Sequence, residues 1–123
     1  MKILTIIARI LLGLMFVFAG VFPFLPIKMP ELPATPAGQF IGVMMSSHYY
    51  FAVALVDLVG GLLLVIGRFV PLGLTLLAPV IFNIVSYHLF LDPKGLPVAI
   101  IVAAVEAFLI WRHREAFAGL LQR

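Results

Sequence analysis

Four long apolar stretches constrain the fold of this chain more than any other feature. They cover about residues 3–22, 49–67, 69–91 and 96–111. A helix of about 20 residues spans the hydrocarbon core of a bilayer, which is roughly 30 Å thick. We therefore predict an all-α membrane protein: a four-helix transmembrane bundle that forms a single transmembrane domain over residues 1–123.

The composition excludes a water-soluble globular domain. Of the 123 residues, 64% are hydrophobic and 11% are charged, and the mean hydropathy is +1.24. A soluble domain typically has about 25% charged residues. Most basic residues stand at the ends of the apolar stretches and form no basic run, so we predict no nucleic-acid partner. The chain has no cysteine, which excludes thiolate catalysis and thiolate metal sites.

The segment between the first and second spans is rich in proline. Five of the nine prolines fall within residues 23–36, which favours an extended, polyproline-like loop. Pro36 suits the first turn of a new helix. Residues 37–47 are too few to span a bilayer, so we predict a short interfacial helix there. The aromatic run at residues 48–51 is typical of a belt at the membrane surface.

The basic residues predict the orientation. Phe18 is bulky where a signal-peptide cleavage site requires small residues, so we expect the first span to be retained. With both termini in the cytoplasm, most positive charges lie on the cytoplasmic side, as is typical of membrane proteins. That side then holds Lys2, Arg9, Arg68, Arg112, Arg114 and Arg123, and the far side holds Lys28 and Lys94.

Three charged residues inside the predicted spans are the first site candidates. Asp57 lies near the middle of the second span, and Arg9 and Glu106 lie about two turns from the cytoplasmic side. We expect Arg9 to pair with Glu106 and to reach Asp57, which would place it between two carboxylates. Alternatively, Arg9 extends to the lipid headgroups. Asp57 either forms a functional site or only holds helices together, since both uses are common for buried polar groups.

The third span adds further polar candidates. Asn83, Ser86 and Tyr87 share one helical face, and Asn83 is expected near the level of Asp57. A ligand headgroup could then contact Arg9, Asp57 and Asn83. The polar candidates for ligand binding or for a polar core are therefore Arg9, Asp57, Asn83, Tyr87 and Glu106; no catalytic residue is assigned.

The second and third spans are joined by so few residues that an antiparallel helical hairpin is predicted. Pro79 inside the third span lacks an amide hydrogen, so a kink is expected there. The freed carbonyl of Thr75 would be satisfied by the side chain of Thr75 itself or by a neighbour.

Small residues predict close helix contacts. Gly13 and Gly20 lie on one face of the first span, where a neighbouring helix can approach. Ala99, Ala103 and Ala107 form a ridge on the fourth span, which either lets a helix approach closely or leaves room for a flat ligand between helices. Such faces permit a homo-oligomer without requiring one.

No metal site is predicted. His48 and His88 both fall near the outer surface and Asp92 is close in sequence, but their spacing is not a ligand motif. Histidines at the membrane interface whose ring nitrogens are hydrogen-bonded locally fit these positions better than metal ligands do. There is also no evident haem-ligand pair or nucleotide motif, so no cofactor is identified.

Several stretches resemble the DoxX-like family of small bacterial membrane proteins. They read ARILLG at 8–13, FAG at 18–20, DLVGGLLLVIGR at 57–68, APVIFNI at 78–84 and YHLFLDP at 87–93. The resemblance covers most of the chain and implies a compact four-helix bundle in the bacterial inner membrane. The family often has glutamate where this chain has Asp57.

Family function is heterogeneous, so the resemblance leaves the activity open. Some relatives are linked to quinone-coupled sulfur oxidation or to terminal oxidases, and others to oxidative-stress complexes. Relatives that handle disulfides would need cysteine, which is absent here. The hypotheses are a subunit that binds a quinone- or lipid-like ligand beside a redox partner, a structural or assembly protein, and a small proton-coupled transporter. No self-contained catalytic motif is present, so at most the chain is a membrane subunit of an oxidoreductase.

Overall fold

The structure is a computed structural model that describes residues 2–26 and 33–121. Within those two ranges every regular element is helical and there is no strand, which confirms the predicted all-α fold. The helices are α1 (Lys2–Val21), α2 (Pro36–Ser46), α3 (Tyr49–Ile66), α4 (Val70–Phe90), α5 (Leu96–Arg112) and α6 (Arg114–Phe117). Short 3₁₀ turns cover Phe22–Phe24, Pro93–Gly95 and Ala118–Leu121.

Four of these helices, α1, α3, α4 and α5, are long and apolar enough to cross a membrane. The chain is therefore a small multi-pass membrane protein. Each of these helices, and α2 as well, begins and ends within one residue of the bounds expected from the sequence.

Local signals explain where the helices begin and end. The Thr35 hydroxyl caps α2 by accepting a hydrogen bond from the Gly38 amide at 3.2 Å, and Pro36 occupies the first turn as predicted. At the end of α3, Gly67 adopts the left-handed region with φ of 83°, and its amide donates to Leu63 O at 2.9 Å. Only three residues, 67–69, separate α3 from α4, so these helices form the predicted hairpin.

The four long helices form a closed ring. Helix α1 contacts α3 and α5, and α4 contacts the same two helices from the other side, while α2 packs against α3. The core between them is apolar and consists of Leu12, Phe16, Leu64, Val70, Leu74, Leu77, Ile81, Val102 and Leu109.

Glycines allow α1 and α3 to approach closely. A Cβ added at Gly13 would lie 2.8 Å from Gly61 O, and one added at Gly20 would lie 2.7 Å from the Leu58 amide nitrogen. Atoms cannot approach that closely, so no side chain fits at either position. The prediction that the glycine face of α1 receives a neighbouring helix is confirmed.

The alanine ridge expected on α5 is only partly a packing face. Ala99 is buried and Ala103 is half-buried, but Ala107 is exposed. The buried face is formed by Ala99, Val102, Glu106 and Leu109. These residues recur at i, i+3, i+7 and i+10, which follows one face of a helix more closely than a strict four-residue repeat does.

Helix α4 is continuous through Pro79. The Thr75 hydroxyl donates to Pro71 O at 2.8 Å and therefore does not satisfy the carbonyl of Thr75 itself. That part of the expectation is wrong, because a helical threonine hydroxyl reaches the carbonyl four residues before it.

The proline-rich segment is partly described. Pro23 lies in the 3₁₀ turn Phe22–Phe24, which is a departure from the extended loop that was expected, whereas Leu25 is extended with φ of −82° and ψ of 145°. Proline fits the start of a 3₁₀ turn because its φ is already close to the helical value. Pro30 and Lys28 of the same segment, and Arg123 at the other end of the chain, lie outside the described residues.

Candidate functional site

Asp57 lies on the face of α3 that packs into the bundle. Ala54, Asp57 and Gly61 fall on one side of the helix, and all three are buried. Asp57 is 7% exposed, and its Oδ1 atom is buried without a hydrogen-bond partner. A buried carboxyl oxygen that accepts no hydrogen bond is costly, so Asp57 retains an unused capacity to bind a donor.

Glu106 is a second buried carboxyl group, on α5. It is 4% exposed, and both its Oε1 and Oε2 atoms are buried without a hydrogen-bond partner. Val102 and Leu109 flank it on the buried face of the same helix. Because α5 is otherwise apolar on this face, only a donor from another element or a bound molecule could satisfy these oxygens.

The two carboxyl groups occupy different depths of the bundle. Glu106 lies six residues before Arg112, the end of α5, which corresponds to about 9 Å along the helix. Asp57 lies nine residues before Ile66, the end of α3, which corresponds to about 13 Å. Both ends face the side where α1 begins, since Arg112 contacts Thr5 and Gly67 contacts Arg9.

Arg9 does not lie between the two carboxyl groups. Its guanidinium group lies against Gly67, where an added Cβ would be 2.6 Å from the Nη1 atom. Asp57 is ten residues earlier in the chain, about 15 Å away along α3. No hydrogen bond joins Arg9 to Glu106, whose carboxyl oxygens have none. The expected pairing is not formed, because the guanidinium group lies at the C-terminal end of α3. The Arg9 Nε atom is buried without a hydrogen-bond partner, so the alternative contact with the lipid headgroups stays a prediction.

Asn83 does not face Asp57 either. It is exposed, and its Nδ2 atom donates to Pro79 O of its own helix at 3.0 Å. The packing face of α4 is set by its large apolar residues, such as Leu74 and Leu77, and Asn83 lies on the opposite face. The expected cluster of Arg9, Asp57 and Asn83 around one headgroup is therefore not formed.

Aromatic side chains gather at the end of the bundle where α3 begins. The rings of Phe24 and Phe51 are 5.0 Å apart, and the ring of Phe40 on α2 is 5.6 Å from Tyr87. These separations are typical of contacting aromatic pairs. Tyr87, a candidate from the sequence, thus contacts α2 from its place on α4.

Tyr50 connects this aromatic end to the buried interior. It lies seven residues before Asp57, so both residues share one face of α3 about 10 Å apart along the helix. Asp57 therefore lies about two helical turns deeper in the bundle than Tyr50, on the same side of α3.

The histidines at this end have local partners. The His48 ring stacks on Phe51 at 5.8 Å between ring centroids, and His88 Nδ1 lies 3.2 Å from Asp92 O. Across the described ranges 2–26 and 33–121, no group of three or more His, Cys, Asp or Glu is arranged to hold a metal ion.

At the opposite end, basic and polar residues connect α1 to α5. Arg112 Nε donates to Thr5 Oγ1 at 3.0 Å, and the Arg114 guanidinium lies 5.0 Å from the centroid of the Trp111 ring. From the sequence, these arginines indicated only the orientation of the chain in the membrane, and Thr5 was not a candidate. The contact could have been predicted from two facts: Thr5 is a hydroxyl residue near the start of an apolar helix, and Arg112 is the last residue of a helix that ends on the same side of the membrane.

Comparisons with protein-family models, with curated proteins and with solved structures found no match to this chain.

Proposed function

We propose that this chain is a DoxX-like protein of the bacterial inner membrane that binds a quinone- or lipid-like small molecule beside a redox partner. The observation that carries the proposal is the buried, unpartnered Oδ1 atom of Asp57 below the aromatic end of the bundle. A free carboxyl oxygen enclosed by packed helices needs a hydrogen-bond donor.

The chemistry of the surroundings favours a planar amphiphile. Carboxyl oxygens of Asp57 accept a hydrogen bond from a ligand hydroxyl, and a protonated carboxyl donates one to a ligand carbonyl. The rings of Phe24, Phe51 and Tyr50 supply flat apolar surface near the entrance to α3. A bound quinone would supply the redox chemistry, and a membrane partner protein would supply the electrons.

The basic residues support an orientation with both termini in the cytoplasm. Lys2, Arg68, Arg112 and Arg114 lie at the end of the bundle where α1 begins, and Lys94 lies between α4 and α5 at the other end. Cytoplasmic loops carry the excess of basic residues in membrane proteins.

The test is native mass spectrometry of gently purified protein with identification of bound molecules. We expect a quinone or another defined small molecule in the wild type and in the Asp92→Asn control, and none in Asp57→Asn. Asp92 suits the control because it lies in the loop between α4 and α5. Bulk phospholipid alone in all three proteins would contradict the proposal.

A thermal melt of the same three proteins distinguishes ligand binding by Asp57 from a purely structural role of Asp57 in helix packing. If Asp57 serves ligand binding, Asp57→Asn keeps the fold and melts close to the wild type. If it only holds the helices together, the variant melts at a lower temperature and its bound molecules do not change.

A second candidate function is proton transfer, which the depths of Asp57 and Glu106 favour. Two buried carboxyl groups at different levels of one bundle are the kind of groups that relay protons in membrane proteins. Proton uptake into liposomes that is lost in Glu106→Gln, but kept in the exposed control Glu115→Gln, would support this function. Equal uptake in liposomes without protein would exclude it.

A further inference from the structure

The outward face of α4 carries two polar side chains, Thr75 and Asn83, although the helix is apolar enough to cross a membrane. We call it the α4 outer face; its exposed residues are Leu72, Thr75, Pro79, Phe82, Asn83 and Phe90. They fall on one side of the helix, opposite the buried Leu74, Leu77 and Ile81. All six are exposed in the described part of the chain, so lipid or another protein must cover them.

Two polar side chains on this face differ in how well they are satisfied. The Thr75 hydroxyl donates to Pro71 O at 2.8 Å and is satisfied within its own helix. Asn83 donates one N–H of Nδ2 to Pro79 O at 3.0 Å. Its second N–H and its Oδ1 atom form no hydrogen bond with the described part of the chain. An amide with unused donor and acceptor groups is unfavourable in hydrocarbon.

We propose that the α4 outer face is the interface of a homodimer, in which Asn83 of one copy pairs with Asn83 of a second. In a two-fold dimer a residue near the axis meets itself, so its side chain must be complementary to itself. An asparagine amide meets this requirement because its free N–H and its Oδ1 are a donor and an acceptor. Two such bonds satisfy both amides at once.

The other residues of the α4 outer face are also compatible with a second copy of the chain as the partner. It carries no charged residue, so two copies meet without repulsion, and a charged partner would find no counter-charge. Phe82 and Phe90 are 72% and 78% exposed and would supply apolar contact on either side of Asn83. Asn83 lies 13 residues after Val70 in a helix of 21 residues, well within the span, where interhelical hydrogen bonds form without competition from water.

Single-cysteine cross-linking in membranes tests the proposal, because the chain has no cysteine of its own. Ser86→Cys places a thiol one turn from Asn83 on the same side of α4, and Ala104→Cys places one on an exposed position of α5. With a copper–phenanthroline oxidant, two thiols are oxidised to a disulfide across the dimer. We expect a dimer band from Ser86→Cys and little from Ala104→Cys.

Adding Asn83→Leu to Ser86→Cys should raise the dissociation constant of the dimer about tenfold, as loss of interhelical hydrogen bonds does. Asn83→Gln keeps an amide and should keep most of the dimer. Because Asn83 is exposed and its hydrogen bond stays within α4, the melting temperature of a detergent-separated monomer should stay close to that of the wild type, which would show that the leucine variant folds.

Two results would overturn the proposal. One is equal cross-linking at both cysteines, which indicates random collision. The other is a wild type that is monomeric at every protein-to-lipid ratio while Ser86→Cys cross-links to a different polypeptide, which would assign the face to another membrane protein.

Discussion

The guanidinium group of Arg9 on α1 lies against the backbone of Gly67 at the C-terminal end of α3, within 3.1 Å of the place where a Cβ would be. The last carbonyl groups of a helix carry partial negative charge, so a cation is favourable there. Arg9 thus joins two spans by charge and contact rather than through either buried carboxyl group.

The first prediction is that Gly67→Ala destabilises the protein by about 2 kcal/mol, because the alanine Cβ strains a left-handed backbone and displaces the arginine. Thermal unfolding in detergent measures the effect. Gly119→Ala is the matched control, since its Cβ would meet nothing within 4 Å. An equal change in the two variants would show that Arg9 and Gly67 are not in contact.

The second prediction concerns the glycine contact between α1 and α3. Gly61→Ala would place a Cβ 2.8 Å from Gly13 O, and only backbone movement can relieve that clash. We expect a loss of about 1–3 kcal/mol, the usual cost of overpacking, together with a lower melting temperature. Gly119→Ala again serves as the control. A variant as stable as the wild type would mean that the two helices are further apart than described.

The sequence predicted the helices well because their ends depend on local signals. Pro36, Gly67 and the charged residues Arg68 and Arg112 stand at or next to the ends of helices, where the apolar runs begin or stop. The number of spans, the hairpin and the helix between the first two spans follow from those positions and from helix length.

The candidate site was harder to predict because periodicity shows which residues share a face but not which face packs inwards. Asn83 and Leu77 lie on opposite sides of α4, and either side is apolar enough for lipid or for a core. Large side chains opposite Asn83 fill the space between helices, which turns the asparagine outwards. Arg9 was uncertain for another reason, since a long side chain can extend in either direction from the same Cα.

The third prediction uses the Arg112–Thr5 contact. Thr5→Val removes the hydroxyl that accepts from Arg112 Nε and should lower stability by about 1–2 kcal/mol, because hydrogen bonds to charged donors exceed neutral ones. Thr75→Val is the control: its hydroxyl donates only within α4, so its loss should change the melting temperature less. Equal melting temperatures for Thr5→Val and Thr75→Val would contradict the prediction.

The fourth prediction separates binding from packing at Asp57. Asp57→Leu replaces a buried, unpartnered carboxyl group by an apolar side chain of similar size, so the free energy of unfolding should rise by about 1–2 kcal/mol. The same variant should lose the bound small molecule, because leucine offers no hydrogen bond. Thermal unfolding and native mass spectrometry measure the two effects on one sample, beside Asp92→Asn. Greater stability with lost binding is the trade-off typical of a functional site. A lower melting temperature would mean instead that the carboxylate stabilises the bundle, and Asp57 would then be a structural residue.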